Sequence, residues 1–178
     1  MIRISHDYSR PDVSFSDLVG KTMCLVDRTT TDEKTDALLF CTTDGEAYAL
    51  YYSPDCCASC TIESITGDLN DLIGHPLLIA EEAVSGDPPE GVDQGEYVPD
   101  SQTWTFYKLA TVKGYVDIRW YGESNGYYSE SVTFAPLSLG DIDDDRMQRC
   151  LAHEDCRLDA RLGRACLALR LQTKAVSA

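Results

Sequence analysis

At 178 residues the chain is long enough for one domain with a real core, and its 43% hydrophobic content rules out wholesale disorder. No apolar run nears the ~20 residues a bilayer-spanning helix needs, and the N-terminal MIRISHDYSRPD lacks a signal-peptide core, so the expected location is the cytoplasm. The formal charge of −15 lies wholly in residues 1–140, where 23 acids face 8 Lys/Arg; residues 141–178 carry 7 of each, and the 14 acids between Lys34 and Lys108 meet no cation. Such a field repels phosphates and disfavours nucleic acid as a direct partner of this region, while it favours either a basic protein surface or cations.

In chain order, residues 1–14 read as a loose or edge-pairing arm. Residues 15–20 form a short helical turn closed by Gly20. Strands follow at 21–27, 35–42 and 46–52, the last two joined by the Thr43-Asp44-Gly45 hairpin signal. Alternation over 46–52 predicts a half-buried strand. Another strand at 60–65 leads to a short helix at 68–73 with Asp68 as N-cap, and a strand at 76–84. DLVGKTMCLV at 17–26 and DLIGHPLLIA at 71–80 repeat one pattern 54 residues apart, helical turn then Gly then apolar strand, which points to a duplicated unit.

Residues 85–100, SGDPPEGVDQGEYVPD, are too polar to bury and read as a mobile acidic loop. Residues 104–134 then hold both tryptophans and predict three consecutive strands, with Asn125-Gly126 turning the last hairpin. Val116, Ile118 and Trp120 share a core face of the middle strand. Tyr115, Asp117, Arg119 and Tyr121 share an aromatic, mixed-charge face, to which Tyr107, Tyr127 and Tyr128 also contribute.

From Asp141 the sequence predicts a long amphipathic helix, its acids at the positive end of the helix dipole. Met147, Leu151, Leu158, Leu162, Ala165 and Leu169 fall on one side, and Arg146, His153, Arg157, Arg161 and Arg164 on an adjacent stripe. This helix packs on the body or pairs with another copy over 142–170. The predicted fold is α+β: an acidic domain at 1–140, built as a twisted antiparallel sheet or small sandwich of seven to eight strands, with the helix at 141–178 appended.

Of the eight cysteines, Cys24 and Cys41 lie in apolar runs and read as core thiols. Cys56, Cys57 and Cys60 are the candidate metal ligands, since the Cys57–Cys60 spacing lets two thiolates hold one Zn²⁺. Cys150, His153 and Cys156 would have to complete that site. Buried or idle thiols with no cofactor are the plainer reading. The acids after Asp141 fail as a calcium loop, with Arg146 where glycine is needed and Ala152 where glutamate is needed. His6, His75 and His153 join no nucleophile or metalloenzyme motif, so no enzyme is expected.

The blocks DCCASCTIESITGDLNDLIGHPLLIAEE (55–82) and TWTFYKLATVKGYVDIRWYGESNGYYSESVTF (103–134) resemble a family of small tailed-phage proteins of unknown function. Its members carry an Asp-Cys-Cys turn, a GDLxDLIG segment and an aromatic block ending NGYYSESV. The likeness spans about residues 15–135. Ser53 stands where relatives often have His, which weakens a shared metal site. The resemblance implies a phage gene expressed in a host cell and carries no family activity. The expected function is an acidic, non-enzymatic inhibitor of a bacterial defence or nucleic-acid-processing complex, of the anti-CRISPR or anti-restriction type, occupying a basic surface. Its partner-binding residues are Glu81, Glu82, Asp87, Glu90, Asp93, Glu96, Asp100, Tyr121, Tyr127 and Tyr128. The alternatives are a metal-binding or ligand-sequestering module on the Cys56/Cys57/Cys60 cluster, and a structural protein dimerising through its C-terminal helix.

Overall fold

The computed structural model describes residues 1–4, 12–92 and 99–152. Asp93, Glu96, His153, Cys156, Cys166 and the helix expected beyond residue 152 lie outside the described residues. Those residues form eight antiparallel strands in two four-stranded sheets: β1 (Met23–Thr30), β2 (Asp36–Thr42), β3 (Ala47–Tyr52), β4 (Ala58–Thr66), β5 (Ile79–Ser85), β6 (Ser101–Ala110), β7 (Tyr115–Ser124) and β8 (Val132–Pro136). The first sheet runs β1-β2-β3-β8 and the second β4-β7-β6-β5. Helical structure among them amounts to three short 3-10 turns and one α-helix, α1 (Asp144–Leu151). The fold is therefore mostly β rather than α+β.

The repeat seen in the sequence is the organising symmetry of the fold. Each half begins with a 3-10 turn, Phe15–Leu18 or Leu69–Leu72, and continues into a three-stranded meander, β1-β2-β3 or β5-β6-β7. Asp17 caps the first turn by accepting the Ser14 N–H, and Asp68 caps the second by accepting the Asn70 N–H. Both turns exit through a glycine in the left-handed region, Gly20 at φ +83° and Gly74 at +81°. The two units then bond to each other reciprocally. Gly20 N–H donates to the Leu77 carbonyl at 2.8 Å and Gly74 N–H to the Met23 carbonyl at 2.9 Å. The 54-residue spacing of the repeat maps Gly20 onto Gly74 and Met23 onto Leu77, so these bonds are mates about a pseudo-two-fold axis at the Thr22–Pro76 bridge.

Each half gives its fourth strand to the other sheet. β4 follows β3 but pairs with β7, and β8 follows β7 but pairs with β3. The hairpin expected at Asn125-Gly126 therefore does not form. Its turn chemistry is present, with Gly126 at φ +79° and Asn125 Oδ1 accepting the Tyr127 N–H, but β4 and β6 already flank β7. With no free edge on β7, the chain crosses to the other sheet. Glu130 anchors this crossing, its buried carboxylate accepting Ser124 Oγ–H and Thr103 Oγ1–H at 2.6 Å each. Burial pushes that carboxyl up, but the hydroxyls of Ser124, Thr103 and Ser101 outweigh it and leave it below its ordinary value.

The main core lies between the sheets, where Phe40, Tyr48, Leu50 and Tyr52 meet Tyr107, Leu109, Val116, Ile118 and Trp120. Each such side chain contributes on the order of 1.5–3 kcal/mol by leaving water. A second core covers the outside of the first sheet, where Leu25, Ala37, Leu39, Ala49 and Tyr51 pack under Ile2, Leu137, Ile142 and Cys150. Every residue of β3 is therefore buried, against the half-buried strand that alternation predicts. The covering segments are pinned at several points. Ile2 bridges Thr31 and Ile142, Arg146 Nε meets Asp27 at 2.6 Å, and Arg149 Nη1 meets it at 3.2 Å. Cys24 is disulfide-bonded to Cys150, with Cα atoms 5.5 Å apart, so it is not the lone core thiol expected and Cys150 is not held for zinc. The described part of the C-terminal helix thus docks on its own chain, with Arg146 and Arg149 meeting acid of the body.

Candidate functional site

The outer face of the second sheet has no such cover among the described residues. Strand register puts Glu81 and Ala83 of β5, Phe106 and Lys108 of β6, Asp117 and Arg119 of β7, and Ser64 and Thr66 of β4 side by side there. They line a groove of about 440 Å³. The aromatic, mixed-charge face expected along β7 is this surface, and Val116, Ile118 and Trp120 lie beneath it in the core.

Its electrostatics are one-sided. Lys108 Nζ stands 3.9 Å from Asp117, and Arg119 Nε stands 2.7 Å from Glu63. Both cations thus face acids of their own sheet. Glu63, Glu81, Asp117 and Glu123 make four acids against those two cations, leaving two negative charges in excess. Tyr121 leans on the buried Trp104 ring, centroids 5.0 Å apart, and donates to Glu123 Oε2 at 3.0 Å. Burial, and then that bond, push its phenol up to about 12, so the hydroxyl stays a neutral donor at physiological pH.

The sequence-predicted acids fall in two places. Glu81 and Glu82 lie exposed on β5, the edge of the sheet, and both border the groove. Glu82 Oε1 accepts the Tyr107 hydroxyl at 3.3 Å, and Tyr107 is core rather than surface. Asp87, Glu90 and Asp100 lie exposed in the β5–β6 connection. By register the end of β5, the start of β6, the end of β7 and the start of β4 share one end of the sheet, with the 125–131 crossing beside them. Tyr127 is there, 91% exposed, and Tyr128 is half-buried. Sequence reasoning missed Lys108 and Glu63 as members of the surface. Alternation marks Asp117 and Arg119 as outward-facing, but only pairing sets Lys108 and Glu63 beside them.

The three cysteines separate. Cys60 is 4% exposed and belongs to the inter-sheet core, and burial pushes its thiol up to about 12. Cys56 and Cys57 are exposed on the turn before β4, their sulfurs 3.3 Å apart. No group of three or more His, Cys, Asp or Glu able to hold a metal ion occurs among the described residues. No helix among them is long and apolar enough to cross a membrane.

Residues 16–134 match a domain of unknown function, DUF7448, which covers both meanders and stops short of the segments that cover the first sheet. No curated protein and no solved structure matches the chain.

Proposed function

The chain belongs to the DUF7448 family of domains of unknown function, and from that premise we propose that it is an acidic binding module whose working surface is the uncovered face of the second sheet. The observation that carries this reading is the contrast in cover. Residues 1–4, 137–142 and α1 shield one outer sheet face, whereas no described segment lies over the symmetry-related face, which is lined by Phe106, Tyr121 and an excess of carboxylates. Aromatic side chains supply rigid contact area, and carboxylates beside them attract guanidinium and ammonium groups. The fitting partner is a bacterial protein with a basic face. Its resemblance to tailed-phage proteins supports reading the chain as a phage product that acts in the host cell as an inhibitor. The target class is a defence or nucleic-acid-processing complex, where carboxylates take the place of phosphates in a basic channel.

The test is affinity capture from bacterial lysate at low and high salt, with the native chain and a variant carrying E81Q, E82Q, D87N, E90Q, D93N, E96Q and D100N. The reading expects a salt-sensitive complex with a nucleic-acid-binding machine, displaced by nucleic acid. It also expects at least tenfold weaker retention by the variant at unchanged melting temperature. Retention equal to that of the native chain would overturn it.

A further inference from the structure

Cys56 and Cys57 are adjacent residues whose thiols point the same way. Their sulfurs stand 3.3 Å apart, close enough to share a proton, and both side chains are exposed. Cys57 occupies the left-handed region at φ +58°, and its carbonyl accepts the Asn125 N–H at 3.3 Å. The turn is thereby tied to the β7 end of the sheet. Two outcomes are open to such a pair: closure on itself, or closure around one bridging atom.

Closure on itself is opposed by the backbone. Adjacent Cα atoms across a trans peptide are about 3.8 Å apart, whereas disulfides ordinarily need about 4.4–6.8 Å. No cis peptide bond relieves this among the described residues. Closure around one atom fits the spacing. Two bonds of about 2.3 Å, the zinc–thiolate length, spanning 3.3 Å enclose an angle of about 90°. A tetrahedral centre with such bonds sets its sulfurs about 3.8 Å apart and a linear one about 4.6 Å. An angle near 90° suits a pyramidal trivalent centre better than a tetrahedral or a linear one.

The surroundings add a place for a third substituent. Cys57 borders an opening of about 330 Å³ whose walls are Ala58, Ser59, Pro99 and Asn125 together with Ser124 and the acids Asp100 and Glu123. We propose that the Cys56–Cys57 turn is a bidentate thiol site for a monosubstituted trivalent arsenical, with the organic group lying in that opening. The chemistry balances without an oxidant. An arylarsine oxide and two thiols form two arsenic–sulfur bonds, the arsenic–oxygen bond breaks, and both thiol protons leave with that oxygen as one water. Arsenic stays trivalent. Cys60, buried in the core, takes no part.

The probe is phenylarsine oxide, added to the full chain carrying C156S and C166S so that, besides the turn, only the buried Cys41 and Cys60 and the Cys24–Cys150 disulfide remain. The expected result is one adduct per chain by intact mass, with loss of the two reagent-accessible thiols. The adduct should survive excess glutathione and be reversed by a 1,2-dithiol. C56S and C57S should each weaken binding at least 100-fold while melting as the parent does. Three results would overturn the site: no adduct although both thiols react with a thiol reagent, undiminished binding by C57S, or a pair that closes to a disulfide in air and reopens only with reductant.

Discussion

The two sheets are built on one plan and end in opposite surroundings. By register about the pseudo-two-fold, Leu39 of β2 corresponds to Lys108 of β6, and Ala49 and Tyr51 of β3 correspond to Asp117 and Arg119 of β7. The inner positions match in kind: Leu50 corresponds to Ile118 and Tyr52 to Trp120, and all four are buried. The outer positions diverge because residues 1–4, 137–142 and α1 lie over the first sheet only. What occupies an outer position follows from what covers it. An apolar residue is favourable where chain excludes water, and a charged one where water or a partner remains. The face that no described segment covers is therefore the one proposed for binding.

A reciprocal swap tests this contrast most severely. Leu39→Lys buries an unpaired ammonium in a fully covered layer and should cost more than about 4 kcal/mol, abolishing the cooperative urea transition. Lys108→Leu, at the corresponding open position, should change stability by less than about 1 kcal/mol. A folded Leu39→Lys chain of near-native stability would mean that the cover is not held in solution.

Next in size is the crossing that carries β8 into the covered sheet. Glu130→Ala strands the Ser124 and Thr103 hydroxyls and should cost about 2–3 kcal/mol by denaturant titration. A loss below about 0.5 kcal/mol would show that the crossing does not depend on this carboxylate.

A pH titration then probes the cover itself. Burial raises the Asp143 carboxyl, but the Met1 ammonium and Arg146, through its backbone N–H and guanidinium, outweigh it and hold it at about 2, against 3.8 when free. A carboxyl depressed by folding stabilises the fold above its free value, and that contribution is lost as the pH falls through about 2. The native chain should lose melting temperature between about pH 4 and pH 2 more steeply than Asp143→Asn. Parallel profiles would remove Asp143 from the forces holding the cover.

The smallest effects test the symmetry. Gly20→Ala meets no neighbour within 4 Å and incurs only left-handed strain, about 1–2 kcal/mol. Gly74→Ala, its mate at φ +81°, should cost the same to within about 0.5 kcal/mol by thermal unfolding. A large inequality would mean that the two turns are alike in geometry but not in energetic weight.

The local sequence determined the strands, the two capped turns and the duplication, because period-two burial, turn residues and N-caps act over a few positions. It also separated the faces of β7, with Val116, Ile118 and Trp120 inward. Tertiary structure decided what depends on distant partners. β8 left β7 because β4 already held that edge, and β3 became wholly buried because residues 1–4, 137–142 and α1 lie over its sheet. Cys24 met Cys150 across 126 residues, and Cys60 parted from Cys56 and Cys57 because it points from β4 into the inter-sheet core while they lie on the exposed turn before that strand. The acids of the expected binding surface were plain in the sequence as charge. Their division between the β5 edge and one end of the sheet was not, because strand pairing, not composition, fixes which charges are neighbours.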